Sequence, residues 1–193
     1  MTLLDASTGT PLTGHAIYIW HCDATGLYSL YDLTQANFLR GVGVADETGK
    51  VKFTTIVPGC YDGRWPHIHF EVFKSVEEAI SGESAVLTAQ MALPETEAAA
   101  VYASDARYSN GTSNLGRISI ASDNVFSDNS EAQISQQTIA ITGGVTGAYK
   151  GTLTIPVDLT AERSVIMPPN VGGQGGPPPG GFGGTPPEQT STN

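Results

Sequence analysis

The sequence predicts an all-β protein, an antiparallel β-sandwich with one short helix. Segments rich in β-branched and aromatic residues recur along the chain, and each is only a few residues long. Turns that contain Gly, Pro, Asp or Asn separate these segments. Residues 94–102 have proline near the start, acidic residues in the first turn and an alanine run, which predicts the helix. Many short strands with little helix are typical of a sandwich.

The predicted strands follow one another through the chain with short connections. They are expected at residues 2–5, 15–20, 42–45, 51–57, 66–73, 85–93, 134–141 and 149–157. We expect residues 42–45 and 51–57 to form a hairpin across the turn at 46–49. The last two segments are expected to form a second hairpin. A single helical turn is expected at residues 76–80.

Composition divides the chain into a folded domain and a tail. A chain of 193 residues is long enough for one domain with a core. From about Met167 onward Gly and Pro dominate without a collagen period, and the apolar content is too low to offset the entropy of ordering. We therefore expect a domain over residues 1–166 and a disordered Gly/Pro-rich tail over 167–193.

Charge and hydropathy limit the classes of partner. The formal net charge is −10, with Lys and Arg together numbering 9, which argues against nucleic acid and anionic membrane as partners. No apolar run approaches the length needed to span a bilayer, and no signal peptide opens the sequence. The sequence leaves open whether the chain forms a homodimer.

The two cysteines, Cys22 and Cys60, have two interpretations. They are either independent buried thiols or the two halves of a disulfide. We expect the disulfide, because each cysteine lies close in sequence to a tyrosine of the candidate site described below. A disulfide would favour an oxidising compartment, and so an exported protein.

The segment 58–72 carries the chemistry that the sequence makes visible. His67 and His69 are separated by one residue in a predicted strand, so both side chains point to the same face. Two imidazoles about 7 Å apart along one face can converge on a single ion. Tyr61 and Arg64 lie in the turn just before this strand. The segment therefore predicts a metal site built from a turn and a strand.

The tyrosines decide which metal is expected. Two histidines alone could bind zinc, copper, nickel or iron. A phenolate is a hard oxygen donor that ligates well only where a strong Lewis acid displaces its proton, and ferric iron is the natural candidate. Tyr61, beside Arg64 and the histidines, is interpreted as a ligand. The position of Tyr28 alone does not decide between a ligand and a residue at the edge of the core.

Five motifs follow one another in the first half of the chain. They are WHCDATGLY at 20–28, FLRG at 38–41, DETG at 46–49, FTTIVPGCY at 53–61 and RWPHIHF at 64–70. In this order they resemble the intradiol ring-cleavage dioxygenases, the family of protocatechuate 3,4-dioxygenase and catechol 1,2-dioxygenase. The resemblance covers roughly residues 3–93 and implies a β-sandwich that holds one non-haem Fe(III).

The resemblance also implies a role for each site residue. The implied iron ligands are Tyr28, Tyr61, His67 and His69. Tyr61 matches the tyrosine that a chelating catecholate displaces, and its phenolate can take one proton. Arg64 matches the arginine that stabilises electron-rich substrate during oxygen attack, and Gln90 matches a glutamine of the substrate pocket.

The implied activity is ring cleavage of a catechol-type substrate by O₂. Insertion of oxygen between the two hydroxylated carbons gives an anhydride, and its hydrolysis yields a muconate-type diacid, so that both atoms of O₂ are incorporated. The two cysteines resemble a branch of the family that is often exported. The turn after Tyr61 is short and the chain begins at the predicted core, so the loops that set substrate specificity are reduced and the preferred catechol stays open.

Two alternatives from other classes remain at this point. One is a non-catalytic β-sandwich binding module, in which the tyrosines and histidines are core and surface residues. The other is a zinc or copper site that uses only the histidines. Colour separates them, because tyrosinate bound to ferric iron absorbs visible light. Replacing both Tyr28 and Tyr61 by Phe separates them further, since a histidine-only site would keep its metal.

Overall fold

The chain folds into short strands with several short helices between them. The computed structural model describes residues 1–82 and 85–161. Its strands are β1 Thr2–Asp5, β2 Ala16–Trp20, β3 Arg40–Val44, β4 His67–Phe73, β5 Leu87–Ala92, β6 Ala140–Thr142, β7 Lys150–Thr152 and β8 Thr154–Val157. Its helices are α1 Val76–Ser81, α2 Glu95–Ser104, α3 Gly111–Leu115 and α4 Glu131–Gln137, with a 3-10 helix at Ile120–Ser122. Among these residues no helix has the length and apolar character needed to cross a membrane.

A four-stranded antiparallel sheet in the order β3-β2-β4-β5 positions the candidate site. Its two faces differ as the alternation in the sequence predicts. Ile17, Phe70 and Val72 are buried in the main core on one face. On the other face, Trp20 of β2 lies opposite His69 of β4, and His69 lies opposite a residue of β5. The sheet thus separates an apolar core from a face that carries the histidines.

A parallel pair, β1 with β8, closes the core on another side. Leu3 lies opposite Ile155, and both are buried. The expectation of a purely antiparallel protein is wrong for this pair. Parallel pairing needs a connection longer than a hairpin turn, and the chain between β1 and β8 supplies it. That these sheets pack face to face as a sandwich stays a prediction.

The predicted hairpin of residues 42–45 and 51–57 is wrong. β3 pairs with β2 alone, and residues 51–57 form no strand. A Cβ on Gly43 would lie 2.5 Å from a Val51 methyl carbon and 3.0 Å from the Phe53 ring. The segment therefore packs across the bare glycine face of β3, where it covers the core, and does not extend the sheet.

The C-terminal part of the described chain is more helical than expected. A strand is predicted at residues 134–141, but helix α4 covers the first half of them, and only Ala140–Thr142 pair with β7. The Ser130 side chain accepts from the Gln133 backbone and the Gln133 side chain accepts from the Ser130 backbone, so a capping box starts this helix. Helices α1 and α2 confirm the predictions at 76–80 and 94–102. The boundary at residue 166 and the tail at 167–193 lie outside the described residues.

Candidate metal centre

The structure brings the four predicted ligand residues together around one atom, Nε2 of His67. The Tyr28 hydroxyl lies 3.2 Å from this nitrogen, the Tyr61 hydroxyl 3.4 Å, and Nε2 of His69 3.1 Å. His67 and His69 are 2% and 6% exposed and Tyr28 is 5% exposed, so the cluster is nearly closed to solvent. The four residues that supply these donor atoms lie at most 41 positions apart in the sequence, and their donor atoms meet in one buried space.

Two turns that fit into each other position the tyrosines. Gly26 precedes Tyr28 by two residues and has φ +93°, and a Cβ there would lie 2.8 Å from the Cβ of Tyr61. Gly59 precedes Tyr61 by two residues, and a Cβ there would lie 2.7 Å from the carbonyl oxygen of Asp23. Each turn thus needs glycine because the other turn lies against it. The two Gly-x-Tyr patterns in the sequence thus mark the two turns that pack against each other.

Backbone and ring contacts fix the histidines. Nδ1 of His67 lies 2.6 Å from the Trp65 carbonyl oxygen, which only accepts, so Nδ1 carries the proton. Nε2 of His67 therefore presents its lone pair to the other donors. The His69 ring stacks on the Trp20 indole with 4.8 Å between centroids and 8° between planes. Both imidazoles are held in orientations that suit metal ligation.

Burial keeps the cluster uncharged without a cation. Burial lowers the pKa of His67 to about 3, and the charge of Arg64 is the next largest cause. Burial lowers the pKa of His69 to about 2, and the charge of His67 is the next largest cause. Burial also raises the pKa of Tyr28 and of Tyr61 above that of a free phenol. The cluster thus offers two neutral imidazoles and two phenols, whose protons leave only if a strongly charged cation takes their place.

The donor spacing fits a single transition-metal ion. Two nitrogen donors at about 2.1 Å from one ion and at right angles to each other would lie about 3 Å apart. The measured spacings to Nε2 of His67 are 3.1 to 3.4 Å. Within the described part of the chain, no group of three or more His, Cys, Asp and Glu side chains could hold a metal. The candidate centre therefore depends on its two phenol oxygens.

Arg64 and Gln90 lie together beside the cluster. The Arg64 guanidinium donates from Nη2 to Oε1 of Gln90 at 2.6 Å. Gln90 lies on β5 directly opposite His69, which places it on the same face of the sheet. The positive charge of Arg64 lowers the pKa of both site histidines, as expected for a cation held close to them. The structure therefore places both predicted substrate-binding residues next to the predicted ligands.

Asp123 is a residue of this site that sequence reasoning missed. Its Oδ2 accepts from Nε of Arg64 at 2.9 Å and from the Trp65 backbone at 2.7 Å. Its Oδ1 accepts from the backbone N–H groups of Val125 and Phe126. The carboxylate is completely buried. It lies in the polar stretch 103–130, which the sequence predicts to be loop, and an Asp in such a stretch gives no sign of a distant arginine.

Comparison with known proteins shows which proteins this chain resembles. The family model described as "Dioxygenase" matches residues 2–92. A catechol 1,2-dioxygenase from Pseudomonas sp. (strain EST1001) is 34% identical over 56 residues, which are 28% of this chain and 18% of that protein. The solved intradiol ring-cleavage dioxygenase from Tetranychus urticae superposes with a TM-score of 0.69 at 25% identity, covering 86% of this chain and 81% of that one. The chain is similar to the intradiol ring-cleavage dioxygenases in the sequence of its first half and in its fold.

The likeness in fold extends to a structure with lower sequence identity. The 3-chlorocatechol 1,2-dioxygenase from Rhodococcus opacus 1CP has a TM-score of 0.53 at 19% identity, covering 81% of this chain and 56% of that one. At this identity the likeness concerns the fold. The sequence match to the Pseudomonas enzyme spans less than a fifth of that enzyme's length.

Helix α3 and the residues just after it support the Tyr61 turn from outside. Asn114 donates to the Cys60 carbonyl oxygen at 2.7 Å, and Arg117 donates to the Asp62 carboxylate at 3.0 Å. These contacts hold the residues on both sides of Tyr61. Sequence reasoning placed this region in a loop, because its short helix has no apolar periodicity.

The expected disulfide is wrong, since the structure contains Cys22 and Cys60 as free thiols. Cys22 donates to the Gly59 carbonyl oxygen at 3.4 Å, and Cys60 donates to the Arg64 carbonyl oxygen at 3.5 Å. Burial raises the pKa of each thiol to about 12. Each is therefore an unreactive packing residue in this intradiol fold, and the cysteines give no support to export.

Proposed function

We propose that this chain is a non-haem Fe(III)-dependent intradiol dioxygenase that cleaves catechol-type rings with O₂ to muconate-type diacids. The observation that carries the proposal is the convergence of two phenol oxygens and two imidazole nitrogens around Nε2 of His67. The similarity to intradiol ring-cleavage dioxygenases supports the same chemistry. The proposal includes a β-sandwich as the catalytic core.

Four residues of this chain would hold the ion. They are Tyr28, Tyr61, His67 and His69. A ferric ion bound by them would supply a strong Lewis acid, which favours the ionised forms of the phenols and of an adjacent pair of substrate hydroxyls. The neutral state of both imidazoles favours binding, because no proton has to leave them first.

Tyr61 is the residue that we assign to proton transfer. It is less buried than Tyr28. Its phenolate would accept a proton from a substrate hydroxyl as the catechol binds. Tyr28 is packed against Trp20 and Cys22, so we assign it to the part of the site that stays in place.

Arg64 is the residue that we assign to charge stabilisation. Its guanidinium is held by Asp123 on one side and Gln90 on the other. A cation fixed in a site with little water stabilises negative charge that develops on the substrate during the reaction with O₂. Gln90 accepts from Arg64 through its amide oxygen, and its amide N–H₂ group would orient the substrate.

The test is oxygen uptake by the iron-loaded chain with catechol. We expect one O₂ consumed for each catechol and a muconate-type diacid, identified by mass. Tyr28→Phe and His69→Ala should abolish turnover, and Arg64→Gln should lower kcat by about 10²-fold or more. Arg107→Gln is the matched control, since Arg107 is an exposed arginine bonded to Asp105.

Three results would contradict the proposed function. They are full turnover by Tyr28→Phe, full turnover by His69→Ala, and no oxygen uptake by the iron-loaded wild-type protein. Metal retained by the double Tyr28→Phe, Tyr61→Phe variant would instead indicate a histidine-only zinc or copper site.

A further inference from the structure

The loop that carries Tyr28 is closed on itself. The Tyr28 N–H donates to the Asp32 carboxylate at 2.8 Å, and the Tyr28 carbonyl accepts from the backbone of Asp32 and Leu33. Leu30 in this loop has a φ of +65°, a conformation that leucine rarely adopts. These local bonds give the loop its shape, but they do not orient it on the sheet. A contact between the loop and the sheet has to set the position of the Tyr28 phenol.

Arg40 makes such a contact. Its Nε donates to the Ser29 hydroxyl at 2.9 Å and its Nη2 to the Ser29 carbonyl oxygen at 2.6 Å, so it holds the residue next to Tyr28 twice. Its Nη1 donates to the Tyr18 hydroxyl on β2 at 2.9 Å. The guanidinium carbon also lies 4.6 Å from the centre of the Tyr31 ring. One planar group thus joins two residues of the loop to the sheet.

The position of Arg40 in the sheet relates its contacts with the loop to the site histidines. Arg40 lies opposite Trp20 in the register of β3 and β2, and Trp20 lies opposite His69 and stacks on its ring. The Ser29 hydroxyl that Arg40 holds donates onward to the Phe38 carbonyl oxygen at 2.6 Å and is buried. The loop is therefore fastened on the same row of the sheet that carries a predicted iron ligand.

We propose that Arg40, which belongs to the FLRG motif at 38–41, is a positioning residue for the predicted ligand Tyr28. It fastens the loop to the sheet and so holds the Tyr28 hydroxyl beside Nε2 of His67. It touches neither the ligand atoms nor a substrate in this account, so its role is indirect. The part of the inference that concerns iron rests on the proposed function, whereas the fastening of the loop does not.

Arginine is needed because several bonds are made at once. A planar guanidinium can donate to a hydroxyl, a carbonyl and a phenol in fixed directions while its face lies on an aromatic ring. Lysine keeps the charge but has one flexible ammonium group. We therefore expect Arg40→Lys to keep part of the attachment of the loop to the sheet, and Arg40→Gln to keep less of it.

The test compares metal-free and iron-loaded forms of Arg40→Gln, Arg40→Lys and Ser29→Ala with wild type and with the control Arg107→Gln. In the metal-free protein we expect backbone amides of residues 28–36 to exchange with solvent at least tenfold faster in Arg40→Gln, with amides of β4 unchanged. In the iron-loaded protein we expect at least tenfold weaker iron affinity and a weaker tyrosinate absorption. Arg40→Lys and Ser29→Ala should lie between wild type and Arg40→Gln.

Unchanged exchange of residues 28–36 in folded Arg40→Gln would overturn the fastening of the loop. Faster exchange with unchanged iron affinity would overturn the link from the loop to Tyr28. If Arg40→Gln does not fold, the same two comparisons made on Arg40→Lys and Ser29→Ala decide. A wild-type protein that binds no iron would overturn the proposed function, and the exchange result would still decide whether Arg40 fastens the loop.

Discussion

Burial determines the protonation of each side chain in the candidate metal centre. The imidazoles of His67 and His69 are neutral because charging them would place a cation in a closed space beside Arg64. The phenols keep their protons because burial raises their pKa, and this outweighs the opposite effect of the Arg64 charge. Arg64 and the buried carboxylate that holds it form an ion pair at the border of the site. This arrangement favours binding of a metal cation with a high charge.

Asp123→Asn tests the support of Arg64. The asparagine retains the acceptor for the backbone of Val125 and Phe126 but removes the charge that orients the guanidinium. Losing one partner of a buried ion pair typically costs about 3–5 kcal/mol of unfolding free energy. We expect kcat for catechol to fall by about tenfold or more in the folded variant while its iron content stays equal to that of wild type. Oxygen uptake and iron analysis measure this, and an unchanged kcat would contradict the assigned role.

At the scale of elements, the site is a meeting of one strand and two turns. The strand is predictable, because His67 and His69 alternate with Ile68 and Phe70 at the period of a β-strand. The turns are predictable as turns, because each contains glycine. Their contact with each other is not, since it depends on the long-range packing of Gly26 on Tyr61. Tyr28 accordingly stays undecided on spacing alone, and the family resemblance assigns it.

Gly26→Ala tests the contact between the two turns. Gly26 and Gly14 both have positive φ, at +93° and +79°, but a Cβ meets Tyr61 at the first position and nothing within 4 Å at the second. Both alanine variants should lose about 1–2 kcal/mol of unfolding free energy from the backbone conformation. Gly26→Ala should lose about 1–3 kcal/mol more from the clash and should bind iron more weakly. Urea unfolding measures the difference, and equal losses at the two positions would contradict this packing.

Other elements show where local patterns are overridden or overlooked. Residues 51–57 alternate like a strand, yet they lie across Gly41 and Gly43 because those glycines leave space above β3. Residues 134–137 contain β-forming isoleucine but follow a capping box at Ser130, and the helix forms. The first difference comes from tertiary packing that a single sequence does not reveal. The second had a visible signal, the Ser-x-x-Gln spacing.

At the scale of the whole molecule, the family resemblance and the fold agree. The sequence predicts a mostly β protein with a helix near residue 95, and both are confirmed. The parallel pairing of β1 with β8 and the anchoring of Arg64 by Asp123 could not be predicted, because each joins residues far apart in the chain. The family resemblance names the four candidate ligands, and the structure adds that they lie close together.

His21 gives the fold a pH dependence outside the metal centre. Its Nδ1 donates to the Cys22 carbonyl oxygen, its Nε2 lies 2.7 Å from the Thr55 hydroxyl, and the ring is buried. Burial lowers the pKa of His21 below its unfolded value of about 6.5, so the unfolded chain binds more protons at acidic pH. This contribution to stability is complete above about pH 6.5 and is lost as the pH falls below it.

His21→Gln should therefore lower the unfolding free energy at neutral pH and make its decline below about pH 6.5 shallower than in wild type. Urea unfolding of both proteins at a series of pH values from neutral to mildly acidic measures the two slopes. Parallel curves for the two proteins would show that His21 does not titrate as inferred.

The most direct test of the central claim is metal analysis of the purified wild-type chain together with its visible spectrum before and after addition of catechol. We predict close to one iron per chain, a tyrosinate-to-iron absorption band that gives the protein its colour, and a shift of that band when catechol binds. Tyr28→Phe should lose most of the band. A colourless wild-type protein that takes up zinc or copper in place of iron, with Tyr28→Phe holding that metal equally well, would contradict the claim.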